Sequence, residues 1–363
     1  MIDWLKRTEN QTTKILEQLK AAREPVMLFG AGLCGAQYLH VLRTNGIEVS
    51  CFLDDDKEKQ AQGVCGLPVM STSHLSTRGG QIVISSYGPD KLERRLLSID
   101  PDSAARIVKP DFYLWEDGLD YAAYYEEHEE EIAAADALLA DEKSHKVFQN
   151  LLHYKISRDR ALIEAVRDDA RLQYFDPEVI TFAKNEVFLD LGAYIGDTVE
   201  AFAKHVNGEY QKIVALEPDK ANYEQLCKAA EKLHDVACYP YGIGATDGIT
   251  RFASDGTWTS AVSDSGDTEI TVKSVDSLFA HGRLTFLKAD IEGLEKPMLQ
   301  GAETTIREQM PQMAIAVYHC KEDIFQILHT IDSYHAGYRF YLRHYTEMPI
   351  DTVLYAVHGH GGN

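Results

Sequence analysis

No apolar run in the chain approaches the roughly 18 residues that a membrane-spanning helix needs. None of the six cysteines (34, 51, 65, 227, 238 and 320) forms a C-x-x-C pair. The first absence excludes a helical membrane protein, and the second points to reduced core thiols. Met1-Ile-Asp-Trp-Leu-Lys-Arg lacks the apolar centre of a signal peptide, so a cytoplasmic location is expected. Basic residues are outnumbered, 36 Lys and Arg against 57 Asp and Glu, for a formal charge of −21. That balance disfavours a nucleic-acid backbone or an anionic membrane as main partner. Internal repeats and low-complexity tracts are also missing. What remains is ordinary globular composition, 45% hydrophobic and 26% charged over 363 residues, enough for two domains.

The stretch that organises the chain is Val187-Phe-Leu-Asp-Leu-Gly-Ala-Tyr-Ile-Gly-Asp-Thr198. Apolar residues of strand length break at Gly192, and Gly196 precedes an amphipathic run through Phe202, the pattern of a buried strand, a tight turn and a helix start. Gly192 would let the backbone turn close to a ligand, and Gly196 would let the helix pack near the sheet. Exposed amides at the helix start suit an anionic or polar ligand. A dinucleotide, a nucleotide or S-adenosylmethionine (SAM) would each fit such a turn. Lys212-Ile-Val-Ala-Leu-Glu-Pro-Asp219 is a second strand ending in an acid, Glu217, placed to accept hydrogen bonds from both ribose hydroxyls. Leu284-Thr-Phe-Leu-Lys-Ala-Asp-Ile-Glu-Gly-Leu-Glu295 is a further strand, the fourth of this region after Val236–Tyr239, running into a cluster of acids.

Together, D-L-G-A-Y-I-G-D-T, L-E-P-D and L-K-A-D-I-E-G-L-E resemble the FkbM family of SAM-dependent methyltransferases. The resemblance runs from Gln173-Tyr-Phe-Asp-Pro-Glu178 through Tyr318-His319 to the tail strands Tyr341–Tyr345 and Thr352–Ala356. It implies a class I methyltransferase fold over residues 172–363, with an acceptor hydroxyl on a saccharide (a nucleotide-sugar or glycan precursor) or secondary metabolite. Periodicity alone implies only a doubly wound α/β sheet. The resemblance also implies a SAM site at Asp190, Gly192, Ala193, Gly196, Thr198, Glu217, Pro218, Gly242, Ile243 and Gly244. Asp190 or Asp290 would face the cationic methionine end; the alternative reading has Asp190 capping the adjoining turn or helix.

Methyl transfer to oxygen is an in-line displacement, and a hydroxyl of high pKa needs a base or a metal. His319 is the first candidate base. Lys288, two residues from Asp290 on one strand face, is its rival or holds the acceptor. Asp290, Glu292, Glu295 and His319 are candidate ligands for Mg²⁺ or a similar ion, although Glu292 and Glu295 would also suit a helix N-terminus. Arg339, Arg343 and His344 are candidates for the acceptor pocket or for structural roles.

Residues 1–115 read as a separate Rossmann-like domain, opened by an amphipathic helix over residues 1–22. Gly30-Ala-Gly32-Leu-Cys-Gly35 follows a strand and opens a helix, and Asp54 ends the next strand, so a nucleotide would touch Gly30, Gly32, Gly35 and Asp54. F-G-A-G, F-L-D-D-D and G-L-P-V resemble the nucleotide-sugar-binding domain of bacterial sugar O-acyltransferases. They resemble small sugar-dehydrogenase-like domains less closely. The ligand would be a nucleotide-sugar or NAD(P). Residues 116–171 read as a helical connector, acidic in its first half. Residues 144–171 are expected to border the catalytic pocket. The rival functions are an NAD(P)-dependent oxidoreductase working through the N-terminal fold and an inactive SAM- or nucleotide-binding scaffold. Homo-oligomerisation is compatible with all three.

Overall fold

A computed structural model describes residues 5, 8–22, 24–77, 79–113, 119–253, 261–262, 268–335 and 337–358. The chain divides into two compact units, Met1–Glu127 with Leu151–Glu164, and His128–Asn150 with Ala165–Asn363. The helices expected between two domains, Tyr121–Glu127, Glu129–Leu138, Glu142–Ser157 and Arg160–Glu164, are present and are shared between these units.

The first unit is built on a five-stranded parallel sheet of β1 (Val26–Phe29), β2 (Val49–Leu53), β3 (Val69–Met70), β4 (Gln81–Ile84) and β5 (Ile107–Val108), in the order β3-β2-β1-β4-β5. Both faces of β1 are covered, which is why its four residues are uniformly apolar. Val26 and Leu28 pack with Tyr38, Leu39 and Leu42, whereas Met27 and Phe29 pack with Ile82, Ile84 and Leu96. The first helix covers Gln11–Ala22, and Asn10 Oδ1 accepts the Thr13 N–H at 3.1 Å and caps it; residues 1–4 of the expected helix lie outside the described residues. Trp4 and Trp115, the latter at the expected domain boundary, lie outside the described residues.

The second unit contains β6 (Val187–Leu191), β7 (Lys212–Leu216), β8 (Val236–Tyr239), β9 (Tyr241–Ile243), β10 (Gly248–Ala253), β11 (Ala261–Val262), β12 (Thr268–Lys273), β13 (Phe286–Ala289), β14 (Gln312–Ala316), β15 (Tyr338–His344) and β16 (Thr352–His358). Seven of them form one sheet in the order β15-β16-β14-β13-β6-β7-β8. Its pairs are parallel except β14–β16 and β15–β16, the expected terminal hairpin. This is a methyltransferase-like α/β fold. The insertion folds as a second sheet, β11-β10-β12-β9, in which β10 and β12 pair antiparallel from Gly248↔Val272 to Phe252↔Thr268. Phe175, Phe188, Phe202 and Phe286 sit in the core against the seven-stranded sheet.

The strand order of that sheet reverses between β6 and β13. Loops leaving the C-terminal ends of two such strands turn away from each other and open a crevice.

Candidate functional site

The crevice at this reversal has a volume of about 410 Å³, within the usual range for small-molecule sites. It is lined by the loop after β6 (Gly192, Tyr194, Asp197, Thr198), the end of β7 (Glu217, Pro218), Gly242 and Ile243 of β9, the loop after β13 (Asp290, Ile291, Glu292, Leu294) and Tyr318 after β14. Gln173, Tyr174, Asn222, Tyr241, Ile270, Ile350 and Asp351 add to the wall, with Leu191, Leu216 and Lys288 at its base.

Glycine at 192 is dictated by the neighbouring loop. Its φ is +73°, and a Cβ there would lie 2.0 Å from the Asp290 carbonyl oxygen. The close approach expected of this glycine is therefore to the backbone that carries Asp290. Gly196, at φ +92°, lies against Leu226 and Ala229 of the helix Lys220–Ala230, so its tight contact is with a helix and not with the sheet.

Among the described residues, five carboxylates (Asp197, Glu217, Asp290, Glu292, Asp351) and one lysine, Lys288, line the crevice. Lys288 is committed elsewhere. Its Nζ lies 3.1 Å from Asp190 Oδ1, donates to the Gly192 carbonyl at 2.8 Å and the Leu191 carbonyl at 3.3 Å, and sits 5.3 Å over the Tyr174 ring. Burial opposes its charge, but Asp190 and Asp290 hold its pKa above the usual lysine value. Glu217 Oε2 accepts the Tyr194 N–H and Oε1 the Asp219 N–H, both at 2.9 Å. Burial pushes Glu217 up to about 7, against the lowering effect of those two bonds.

At the other end of the crevice, Asp290 accepts hydrogen bonds from Tyr174 Oη at 2.6 Å and Tyr318 Oη at 3.1 Å. Behind it, His319 Nε2 lies 3.4 Å from Asp290 Oδ1 and 3.6 Å from Glu292 Oε2, and its Nδ1 lies 2.8 Å from Glu295 Oε1. Burial lowers the His319 pKa, but Glu295, Asp290 and Glu292 outweigh it and raise the group to about 9. Burial, reinforced by Asp290 and Glu295, raises Glu292 to about 7.

Several sequence-level expectations change here. Asp190 is fully buried below the crevice, with Lys288 as its counter-charge, and neither faces the methionine end nor caps a turn. Ala193, Gly196 and Gly244 stand behind the lining, and Ala193 N–H bonds to the Leu216 carbonyl. Lys288 is tied to backbone carbonyls, a geometry that does not suit a base. His319 does not line the crevice; Asp290 and Glu292 stand between. Arg343, buried, pairs with Asp141 at 2.7 Å, and His344 Nδ1 lies 2.9 Å from Thr352 Oγ1, so both are structural. Arg339 lies 5.5 Å from the Tyr341 ring, away from the lining. Residues 144–171 supply no lining residue; the wall starts at Gln173. Tyr174, Tyr194, Asn222 and Asp351 were not anticipated. Tyr174, Tyr194 and Asp351 have positive φ (+67°, +46° and +58°), a backbone property with no sequence signal outside glycine and asparagine.

In the first unit, Gly30 has φ +109° and Gly35 would drive a Cβ to 2.3 Å from the Gly30 carbonyl oxygen. Gly32 faces open space. Asp54 Oδ2 accepts the Ala31 N–H at 3.0 Å and pairs with Lys59 at 3.2 Å. The same strand-end acid thus braces the glycine loop in both units, Asp54 on Ala31 and Glu217 on Tyr194.

A seven-stranded sheet with this reversal, this glycine turn and this strand-end acid is a methyltransferase-like α/β architecture. The family model "Methyltransferase FkbM domain" matches residues 190–346. A solved methyltransferase FkbM from Methylobacillus flagellatus is similar to the chain at 21% identity with a TM-score of 0.76, covering 98% of this chain and 96% of that one. Aeropyrum pernix fibrillarin, solved with natively bound SAM, is 12% identical over 49% of this chain and 70% of that one, with a TM-score of 0.31. SMU.1697c from Streptococcus mutans, a methyltransferase solved with S-adenosylhomocysteine, is 9% identical over 55% of this chain and 96% of that one, with a TM-score of 0.31. No curated protein matches the sequence. Among the described residues no helix is long and apolar enough to cross a membrane.

Proposed function

We propose that the second unit transfers the methyl group of SAM to a hydroxyl oxygen of a saccharide or secondary metabolite. The observation that carries this reading is the charge of the crevice. Five carboxylates with one committed lysine attract a donor bearing a sulfonium and an ammonium, and repel the pyrophosphate of NAD(P) or of a nucleotide-sugar. Transfer leaves S-adenosylhomocysteine without the sulfonium charge, so the attraction weakens at the moment of product release. An uncharged acceptor fits this crevice better than a phosphorylated one.

In this reading Glu217 takes the ribose hydroxyls, with Pro218 beside it, and the main chain at Gly242 and Ile243 frames the adenine. Asp197 and Thr198 face the methionine end. The acceptor oxygen lies against Asp290 and Glu292, which take up its proton as the carbon–oxygen bond forms. A Mg²⁺-like ion held by the same acids would polarise that hydroxyl. Lys288 neutralises Asp190 and ties down the Leu191 and Gly192 carbonyls, keeping the glycine turn in place.

For the first unit the reading is a nucleotide, as nucleotide-sugar or NAD(P), at Gly30, Gly32, Gly35 and Asp54, supported by the open space at Gly32. An oxidoreductase there has weak support. Tyr87-Gly-Pro-Asp-Lys91 has the Tyr-x-x-x-Lys spacing, yet the helix begins at Pro89, so Tyr87 and Lys91 do not share a helical face.

The test is calorimetry on the full chain with S-adenosylhomocysteine, NADH and a nucleotide-sugar panel, followed by incubation of cell extract with labelled SAM. Binding of S-adenosylhomocysteine and a methyl mass gain on a small molecule are expected. NADH binding without S-adenosylhomocysteine binding would reverse the assignment.

A further inference from the structure

We infer that Asp290, Glu292 and His319 form a binding site for a hard divalent cation of the Mg²⁺ or Mn²⁺ kind, set in the wall of the crevice. One ligand atom from each of the three residues falls within a common 4.8 Å. His319 Nε2 is 3.4 Å from Asp290 Oδ1 and 3.6 Å from Glu292 Oε2. Ligand atoms at right angles around an ion at about 2.1–2.4 Å lie about 3.0–3.4 Å apart, so the two histidine–carboxylate distances close on a cation by shifts of a few tenths of an ångström.

The imidazole supplies the second, independent argument. The His319 side chain is only 8% exposed, and its Nε2 is buried with no hydrogen-bond partner. Its Nδ1 lies 2.8 Å from Glu295 Oε1, and Glu295 is itself fully buried, with Oε1 also accepting the Ile291 N–H at 3.1 Å. A carboxylate on Nδ1 fixes the ring and, once a metal displaces the second proton, directs the Nε2 lone pair outward, the arrangement that orients metal-bound histidines. Here that lone pair faces two carboxylate oxygens. Three such atoms converge at the edge of the crevice, where a proton or a metal cation must join them.

The backbone enforces the convergence. Glu292 has φ +54° and Gly293 φ +90°, and this turn brings the Glu292 carboxylate back beside Asp290. The phenols of Tyr174 and Tyr318 hold Asp290 from the other side. The two carboxylate oxygens suit Mg²⁺ or Mn²⁺, and the borderline imidazole nitrogen favours Mn²⁺ of the two. Asp290 and Glu292 line the crevice while His319 sits behind them, so the free coordination positions face the acceptor.

The role of such an ion rests on the methyl-transfer reading; its binding does not. During transfer the carbon–sulfur bond breaks with its electron pair going to sulfur, the carbon–oxygen bond forms, and the hydroxyl proton leaves to a crevice carboxylate. A cation at this wall would lower the pKa of that hydroxyl.

The experiment is titration of the chelator-treated full chain with Mn²⁺, following loss of the free-ion EPR signal, with calorimetric titration of S-adenosylhomocysteine in parallel. One saturable site is expected, weakened at least about tenfold by Glu292→Gln and by His319→Ala. The isosteric Glu292→Gln carries the test if His319→Ala does not fold. No Mn²⁺ uptake at millimolar ion, or uptake unchanged in Glu292→Gln, would overturn the site. S-adenosylhomocysteine binding without Mn²⁺ binding overturns the cation site alone. Mn²⁺ binding without S-adenosylhomocysteine overturns the methyl-transfer reading alone.

Discussion

Lys288 and Asp190 are register partners on the adjacent parallel strands β13 and β6, and their charged atoms meet at 3.1 Å with both side chains closed to solvent. They sit directly beneath the strand-order reversal, and the same ammonium binds the carbonyls of Leu191 and Gly192. The pair therefore couples the stability of the sheet centre to the shape of the glycine turn.

Lys288→Met leaves the Asp190 carboxylate buried without its counter-charge and should cost about 3–5 kcal/mol. Asp190→Asn with Lys288→Met removes both charges and should recover most of that loss. Urea unfolding of the two variants and the parent checks it. A double variant no more stable than Lys288→Met would show that the ammonium acts through the carbonyls alone.

Gly192→Ala places a Cβ 2.0 Å from the Asp290 carbonyl oxygen at a φ of +73°. Loss of S-adenosylhomocysteine binding is expected, with a stability cost of about 1–3 kcal/mol from backbone strain. Gly32→Ala, at an ordinary φ of −93° with no atom within 4 Å of the new Cβ, should leave the melting temperature unchanged. Thermal melts of both variants separate a structural glycine from an unconstrained one.

Glu217 has a folded pKa of about 7 against an unfolded value of 4.5, so its contribution to stability is present below pH 4.5 and is lost as pH rises through 7. In the proposed donor site, ribose hydroxyls would bind the ionised form. The affinity for S-adenosylhomocysteine should therefore climb from pH 6 to pH 8. Glu217→Gln should flatten that dependence, weaken binding at least about tenfold at pH 8, and raise folded stability there by about 1–3 kcal/mol. Calorimetry across the range, with melts at pH 8, reads all three effects. A wild-type affinity independent of pH would remove Glu217 from the donor site.

His344 is fully buried, and burial lowers its pKa from 6.5 to about 4. It is neutral in the folded protein and charges more readily in the unfolded chain. Stability should fall by up to about 3 kcal/mol as pH drops from 6.5 to 4. His344→Asn should show a shallower decline, measured by denaturant titration at pH 7, 6, 5 and 4.5.

The fold of each unit was legible in the chain because its strands are covered on both faces. Val26–Phe29, Val187–Leu191 and Phe286–Ala289 read as unbroken apolar runs, apart from Asp190 and Lys288, and glycine turns punctuate them. Asp190 and Lys288 were also visible as exceptions, but spacing alone reads a polar residue at a strand end as a ligand-binding group. Strand register turned them into partners of each other.

The sequence by itself determined where strands end and which acids follow them, since strand length, glycine position and local polarity are properties of contiguous residues. It thereby singled out Gly192, Glu217, Asp290 and His319. Tertiary structure alone decided which of these face the crevice and which stand behind it. Gln173, Tyr174 and Asp351 are far from Asp290 in the chain, and only the folded arrangement of the sheet and its loops brings all four to one wall. The assignment of His319 away from a free base likewise came from three-dimensional packing, because the charge state of an imidazole is set by the carboxylates around it and not by its neighbours in sequence.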